Sequence, residues 1–328
     1  MHPTIKKITK IYLKSDYILC APGGICMGGF QNWMHIFLLK LAKWVKKPLI
    51  YYGRSFGPFP TKTKDNRIFK KISLEMLHYF SFLSIRDLKT EKLAEDLNIK
   101  YIQTVDSAFL DSPKVSIPEV VKSMIGNKNY MVFVPNSLIW HYAYKKRLEE
   151  KDMVDFYKKI ILEIINEFPD LNILLLPQTF NYGTKLGDDI NFFNEIKESI
   201  PNENRIIVIP DNYSSDVQQC LISSAKFLIG ARYHSVVFAL NNNVPFIALS
   251  YEHKISGLLA SLNKEDTIID ITNISKTNKD EIVLNITKLL RVIKSDPKAQ
   301  EEAKNIATEC FKKLTYYLKS LLSTKNRK

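Results

Sequence analysis

Five short runs in the second half of the chain constrain its fold more than any other feature: YMVFVP (130–135), LNILLLPQ (171–178), RIIVIP (205–210), KFLIGA (226–231) and PFIALSY (245–251). Each is apolar on consecutive residues rather than alternate ones, so both faces of the strand must be covered. That is the pattern of parallel strands held between helices. The sequence between the runs supplies those helices, with apolar residues at spacings of three and four over 152–168, 187–199, 214–224, 234–241 and 253–262. Ser214 or Ser215 is placed to cap the third of them.

The first half carries the same alternation. DYILCAP (16–22), PLIYYG (48–53), FLSIR (82–86) and a strand within IKYIQTVDSAF (99–109) are separated by helical patterns over 33–46, 68–78 and 88–98. The stretch between the halves holds Pro113, Pro118 and Gly126 and reads as a linker over 113–128. A chain of 328 residues exceeds one ordinary core, and two domains of roughly 100–200 residues are expected. The predicted architecture is α/β, with two Rossmann-like doubly wound domains facing a cleft. The first covers 1–112 and the second 129–295, followed by a helix and basic tail over 296–328.

Composition removes several alternatives. With 45% hydrophobic and 25% charged residues the chain is of the soluble globular type. No apolar run reaches the roughly 18–20 residues that span a bilayer. The start, MHPTIKKITKIYLKSDY, lacks the apolar core of a secretory signal. Cys20, Cys26, Cys220 and Cys310 show no C-x-x-C spacing and read as reduced thiols of a cytoplasmic protein. The net charge of +13, from 47 basic and 34 acidic residues, favours phosphorylated ligands or anionic surfaces. Its lysines read as spread through the chain, as in KKRLEEK and KTKDNRIFKK. No zinc spacing, aromatic ribonucleoprotein signature or basic heptad arm accompanies them, so nucleic acid is not an expected partner. No metal cluster is visible.

In doubly wound sheets ligands bind beyond the carboxyl ends of the strands. Those ends are polar here. In the first half they carry Gly23, Gly24, Gly28 and Gly29 of PGGICMGG, Arg54 and Ser55 of GRSFGPF, Arg86 with Asp87, and Asp106. The glycines let backbone amides approach a ligand, but their spacing is not that of a dinucleotide loop. In the second half the ends carry Pro135-Asn136, Pro177-Gln178-Thr179, Gly230 to His234, and Ser250 to Lys254. Each alone suits a turn; together they make a polar rim on an apolar frame. In LIGARYHSVVFAL, Arg232 and His234 fall on the first turn of a helix, where the dipole already favours an anion. Two cation-capable side chains there break the local rule, and such violations tend to mark function. Arg offers a fork to carboxylate or phosphate, and His moves protons near neutral pH. The competing reading pairs the arginine with a nearby carboxylate and the histidine with backbone.

These residues carry a resemblance. GARYHSVVFALNNNVPFIALSYEHKISGLLASL resembles the C-terminal signature of the polysaccharide pyruvyl transferase family, a G-x-R-x-H segment followed by Y-x-x-K. PGG, YGRSFGPF, SIRD and TVDSAFL resemble that family's N-terminal half in the same order, and LLLPQT with Asp188 and Asp189 resembles its middle. The likeness runs from about residue 16 to 262 and is nearest to the branch associated with bacterial exopolysaccharide (colanic-acid-like) synthesis. It implies a glycosyltransferase-B-like fold and transfer of a pyruvyl group from phosphoenolpyruvate to two hydroxyls of one sugar, forming a cyclic ketal. Phosphoenolpyruvate is then a co-substrate, and no cofactor is implied.

On that resemblance Arg232 and His234 are the catalytic candidates, His234 as acid–base. Arg232, Lys254, Asn136, Gln178 and Arg86 are candidates for the donor. Gly23, Gly24, Arg54, Ser55, Asp106 and Glu252 are candidates for the acceptor, a glycan or lipid-linked oligosaccharide. A cytoplasmic protein in peripheral contact with the inner face of the membrane is expected. Two departures stand out. Nothing before DYILCAP matches the family's opening units, so the first domain is expected to be shortened, with an unpaired edge that invites self-association. Asn136 stands where many members carry arginine. A nucleotide-sugar glycosyltransferase and a non-catalytic family member share the same pattern. Finally, EEAKNIATECFKKLTYYLKSLL (301–322) sets Ile306, Cys310, Leu314, Tyr317 and Leu321 on one helical stripe. It reads as a packing helix or, with the basic tail STKNRK, as a contact for anionic lipid.

Overall fold

The computed structural model describes residues 3–23, 26–139, 144, 147–180, 188–251 and 253–325. The chain forms two compact units, Met1–Leu110 with Ala303–Lys328, and Asp111–Glu302. The segment 113–128 is part of the second unit and contains a helix. The C-terminal helix returns most of its length to the first.

In the first unit the chain runs α1 (Pro3–Lys14), β1 (Ile18–Cys20), α2 (Trp33–Trp44), β2 (Leu49–Tyr51), α3 (Lys64–Tyr79), β3 (Phe82–Ile85), α4 (Leu88–Asp96) and β4 (Ile102–Gln103). The strands lie in chain order β1-β2-β3-β4, all parallel, with Ile18 beside Leu49, Ile50 beside Phe82 and Ser84 beside Ile102. Local chemistry sets the helix starts. Thr63 and Asn66 form a reciprocal capping box at α3, and the Asp87 carboxylate accepts the Thr90 N–H at α4.

Because the strands follow one another, right-handed crossovers put α2, α3 and α4 on the same face. Leu49, Tyr51, Leu83 and Ile85 pack there with Ile36, Leu39, Phe69, Met76 and Ala94. The alternate residues, Ile50, Tyr52 and Phe82, are also buried, and what covers them is α12 (Pro297–Lys325) through Cys310 and Leu314, with Tyr317 beside Phe82. The predicted apolar stripe is therefore a packing stripe.

The second unit runs α5 (Glu119–Ile125), β5 (Tyr130–Val134), α6 (Glu150–Glu167), β6 (Asn172–Leu175), α7 (Asp189–Glu198), β7 (Ile206–Val208), α8 (Ser215–Ser223), β8 (Leu228–Gly230), α9 (Tyr233–Asn241), β9 (Phe246–Ser250), α10 (His253–Ser261), β10 (Ile268–Asp270) and α11 (Lys279–Leu290). Its six strands are parallel in the order β10-β9-β8-β5-β6-β7. Met131, Phe133, Ile173, Leu175, Ile229 and Ile247 pack with α6, α7 and α11. Val132, Val134, Leu174, Leu228 and Ala248 are equally buried, on the side where α9 meets β8 and β9. The five consecutive apolar runs are thus explained: every residue of β5 to β9 is inside. Ser214 takes the N-cap position of α8, but its side chain makes no capping bond.

Replacing Leu314, which is 4% exposed, by alanine removes a plug from the first sheet. The expected loss is about 2–5 kcal/mol in urea unfolding, against under about 0.5 kcal/mol for Tyr316→Ala, since Tyr316 is 78% exposed on the same helix. Equal effects of the two would show that the helix does not seal this sheet.

Candidate active site

The strand order of the second unit reverses between β5 and β8, which are neighbours. In open parallel sheets the carboxyl ends at such a switch point form the ligand crevice. Val134 pairs with Gly230 across it. The residues just beyond are Asn136 on one side and Arg232 and His234 on the other. Gln178 follows the next strand out from β5, and Lys254 follows the next strand out from β8. The fold therefore brings five of the sequence candidates to four adjacent strand ends.

The turn at β8 shows why these residues are where they are. Arg232 is the N-cap of α9, and the Ser235 hydroxyl donates to its carbonyl at 2.6 Å. A Cβ on Gly230 would lie 2.3 Å from that Ser235 oxygen, so any other residue there would displace the Ser235 hydroxyl from this bond. The cationic N-cap is compensated by Asp189, the first residue of α7, whose Oδ1 accepts from Arg232 Nη2. Asp189 Oδ2 accepts the backbone N–H groups of Gln178 and Thr179 at 3.0 and 2.9 Å. Burial pushes the Asp189 carboxyl up, while Arg232 and these hydrogen bonds pull it down. The ion-pair alternative raised by the sequence is present, but it leaves Arg232 Nε buried with no hydrogen-bond partner.

Gln178 is oriented by a relay. The Tyr213 carbonyl can only accept, so Gln218 turns its Nε2 toward it at 2.9 Å and its Oε1 toward Gln178 Nε2 at 3.1 Å. Gln178 Oε1 is left buried without a partner. The free atom is an acceptor, which suits a hydroxyl rather than an anion. His234 is exposed, edge-on to Tyr233 and stacked on Phe238 with centroids 5.9 Å apart. Asn136 is fully buried: its N–H donates to the Tyr157 hydroxyl, its carbonyl accepts from it, and its Oδ1 accepts the Leu138 N–H. Lys254 is half-buried on the first turn of α10.

The candidates of the first unit form a separate, interlocked set. Arg86 makes a buried ion pair with Asp106, each side chain 4% exposed, and also donates to the Gly23 carbonyl at 2.9 Å. Arg54 donates to the Ala21 carbonyl at 2.7 Å and to Cys26 Sγ at 3.1 Å, with its guanidinium over the Tyr51 ring. The buried Ser55 hydroxyl donates to the same Asp87 that caps α4. A Cβ on Gly28 would lie 2.5 Å from the Gly57 carbonyl, so this glycine serves a backbone crossing. Arg86 lies here and not among the strand ends of the second unit. Gly24 and Glu252 fall outside the described residues. Asp189 was not singled out for a site by the sequence; nothing local to it names its partner 43 residues away. Among the described residues no group of three His, Cys, Asp or Glu side chains is placed to hold a metal.

Two Rossmann-like parallel α/β units are the make-up of the glycosyltransferase-B-like folds, and solved structures of that class match. A UDP-GlcNAc 2-epimerase from Neisseria meningitidis bound to UDP-GlcNAc aligns with a TM-score of 0.57 at 13% identity, over 95% of this chain and 80% of that one. Trehalose-6-phosphate synthase OtsA aligns with a TM-score of 0.53 at 9% identity, over 97% and 76%. At these identities the likeness is one of fold. The family model of polysaccharide pyruvyl transferases matches residues 2–253, and the chain belongs to that family. The amylovoran biosynthesis protein AmsJ of Erwinia amylovora is 22% identical over 242 residues, 70% of this chain and 55% of that protein. The chain thus spans about half the length of this curated relative.

Cys20, Glu91 and His35 of the first unit titrate away from their ordinary values. Burial pushes the Cys20 thiol up to about 11, so it is no thiolate at neutral pH. Burial, then the neighbouring Asp87, pushes Glu91 on α4 up to about 7. Its native form holds a proton that the unfolded chain releases near 4.5, so this group lowers stability as pH rises from 4.5 to 7. His35, pushed down to about 4 by burial and then by Arg54, has the opposite slope between 4 and 6.5. Glu91→Gln isolates the first effect: its melting temperature relative to wild type is expected to climb between pH 4.5 and 7 and then level off. A difference independent of pH would mean that Glu91 ionises normally.

Proposed function

We propose that this chain transfers a pyruvyl group from phosphoenolpyruvate to a sugar of a cell-surface polysaccharide or its lipid-linked precursor, leaving a pyruvate ketal. The observation that carries this reading is the switch-point arginine: within a family match over residues 2–253, Arg232 has a buried, unsatisfied Nε beside a fixed ion pair. A donor with both carboxylate and phosphate needs such a cation.

The chemistry requires few parts. One sugar hydroxyl adds to C2 of the enol as its methylene carbon takes a proton, giving a tetrahedral phosphoketal. Phosphate then leaves with the C2–O bond electrons, and the second hydroxyl takes its place. One hydroxyl proton ends on the new methyl group and the other on phosphate or solvent. His234 is the proposed proton carrier, since it is exposed and of the right intrinsic acidity. Lys254 is the proposed second anion contact, and Gln178 Oε1 the acceptor for a hydroxyl. Arg86, Asp106, Arg54 and Ser55 are proposed to shape the first unit's strand ends rather than to take donor. Asn136 is proposed to fix the turn beside Arg232.

Phosphate release from phosphoenolpyruvate, assayed against a panel of glycans, tests this. Losing one charge-assisted contact costs about 1.5–3 kcal/mol, so Arg232→Ala is expected to weaken donor binding roughly ten- to a hundredfold. His234→Ala is expected to lower kcat more than it raises KM. Wild-type rates in both variants, or consumption of a nucleotide sugar in place of phosphoenolpyruvate, would overturn the assignment.

A further inference from the structure

The largest exposed apolar side chains are unevenly placed. Ile11 and Leu13 on α1, Phe30 before α2, and Met34, Phe37 and Trp44 on α2 are all exposed, with Trp44 at 70%, Phe30 at 68% and Met34 at 64%. α1 buries none of its residues fully. It packs its half-buried Tyr12 on the core of the unit, keeps Ile5 and Ile8 half-buried, and leaves Lys6, Lys7, Lys10 and Lys14 exposed. Its C-terminal end is tied to the segment after α2 by Lys47, whose ammonium donates to the Leu13 carbonyl at 2.9 Å. Between the two helices lies a groove of about 700 Å³ floored by Ile5, Phe37, Leu41 and Trp44 and edged by lysines.

The charge on this segment is as lopsided as its hydrophobicity. Residues 1–47 hold eight lysines against a single acid, Asp16, which is +7 of the chain's +13. Glu75 of α3 reaches in to pair with Lys40 and Lys43, both at 2.8 Å, and all three remain solvent-exposed. The lysines of α1 are spared that neutralisation. Soluble monomers rarely leave several large apolar side chains together unless something covers them. A second copy of the chain would set two strongly cationic faces against each other. Tryptophan and phenylalanine ringed by lysine, on helices lying along a surface, are the features of a helix that settles into the headgroup layer of an anionic bilayer. Among the described residues no helix is long and apolar enough to cross it.

We infer that the α1–α2 face of the first unit docks on an anionic lipid surface, with Phe30, Met34 and Trp44 entering the headgroup layer and the α1 lysines meeting lipid phosphates. The inference does not depend on the donor assignment, and it places the contact on a surface other than the basic tail at 323–328.

Co-sedimentation of the full chain with vesicles of phosphatidylcholine alone and of phosphatidylcholine with phosphatidylglycerol tests it. Binding is expected to the mixed vesicles only, to fall steeply as salt is raised, and to come with a blue shift of tryptophan emission. Met34→Ser with Trp44→Ser, and separately Lys6→Glu with Lys7→Glu and Lys10→Glu, are each expected to weaken binding by about tenfold or more. Both leave the circular dichroism and melting temperature unchanged, because the side chains are exposed, and removal of 323–328 leaves binding largely intact. No binding to mixed vesicles at low salt would overturn the inference. So would binding lost only with the tail, a stable dimer that dissociates in the Trp44 variant, or capture of RNA in place of vesicles.

Discussion

A parallel strand buried on both sides needs helices on both sides, and that requirement organises this molecule. The two units meet it differently. In the second unit the strand order reverses between β5 and β8, so right-handed crossovers deliver helices to both faces without further help. In the first unit the strands run in sequence, the crossovers cover one face only, and Ile50, Tyr52 and Phe82 stay buried because α12 comes back to lie over them. The same choice decides where a ligand crevice can open. A sheet that reverses has a switch point, and a sheet that does not has none. The second unit's candidate residues flank its reversal, whereas the first unit's are spent on one another, Arg86 on Asp106 and Ser55 on Asp87.

Much of this was legible because it is local. Consecutive apolar residues over 130–135, 171–178, 205–210, 226–231 and 245–251 announce strands buried on both faces, and helices follow from spacings of three and four. The strand-end rule then led to Asn136, Gln178, Arg232 and Lys254 without knowledge of strand order. What could not be read were facts of long range. Asp189 carries no local mark as the partner of Arg232, and the relay from Tyr213 through Gln218 to Gln178 joins loops that follow different strands. The stripe of α12 was visible, but not the sheet it covers. The linker reading of 113–128 also hid α5, because prolines and a glycine outweighed a seven-residue helix whose Val121 and Ile125 are buried.

The distribution of acids gave its meaning only with the fold, for a different reason. Lysines counted over the whole chain look dispersed, and two basic stretches with mixed signs reinforced that impression. The count by segment was available from the sequence alone: one acid in the first 47 residues. It became informative only when α1 proved to lie beside α2, so that the lysines fell among exposed Met34, Phe37 and Trp44 rather than along an extended arm.

The pairing of Arg232 with Asp189 and a role for Arg232 toward a ligand are not competing explanations. A guanidinium with its side chain 13% exposed would lose most of its hydration, and an unpaired charge there would be unstable. Asp189, 2% exposed, repays that loss, and is itself held by two backbone amides from the end of β6. The pair therefore locks the ends of β6 and β8 and the start of α7 into one rigid piece. One edge of the fork is consumed by Asp189, and Nε stays buried without a partner. On the proposed reading this is the arrangement that anion binding wants: a charge already desolvated and already aimed, so that little reorganisation remains when the ligand arrives. A proton carrier has the opposite need, since it must exchange with substrate and solvent. His234, the proposed carrier, is two residues on and exposed on the first turn of the same helix. On the proposed reading, the N-terminal turn of α9 sets a mostly buried cation and an exposed imidazole two residues apart, each in the dielectric its proposed task requires.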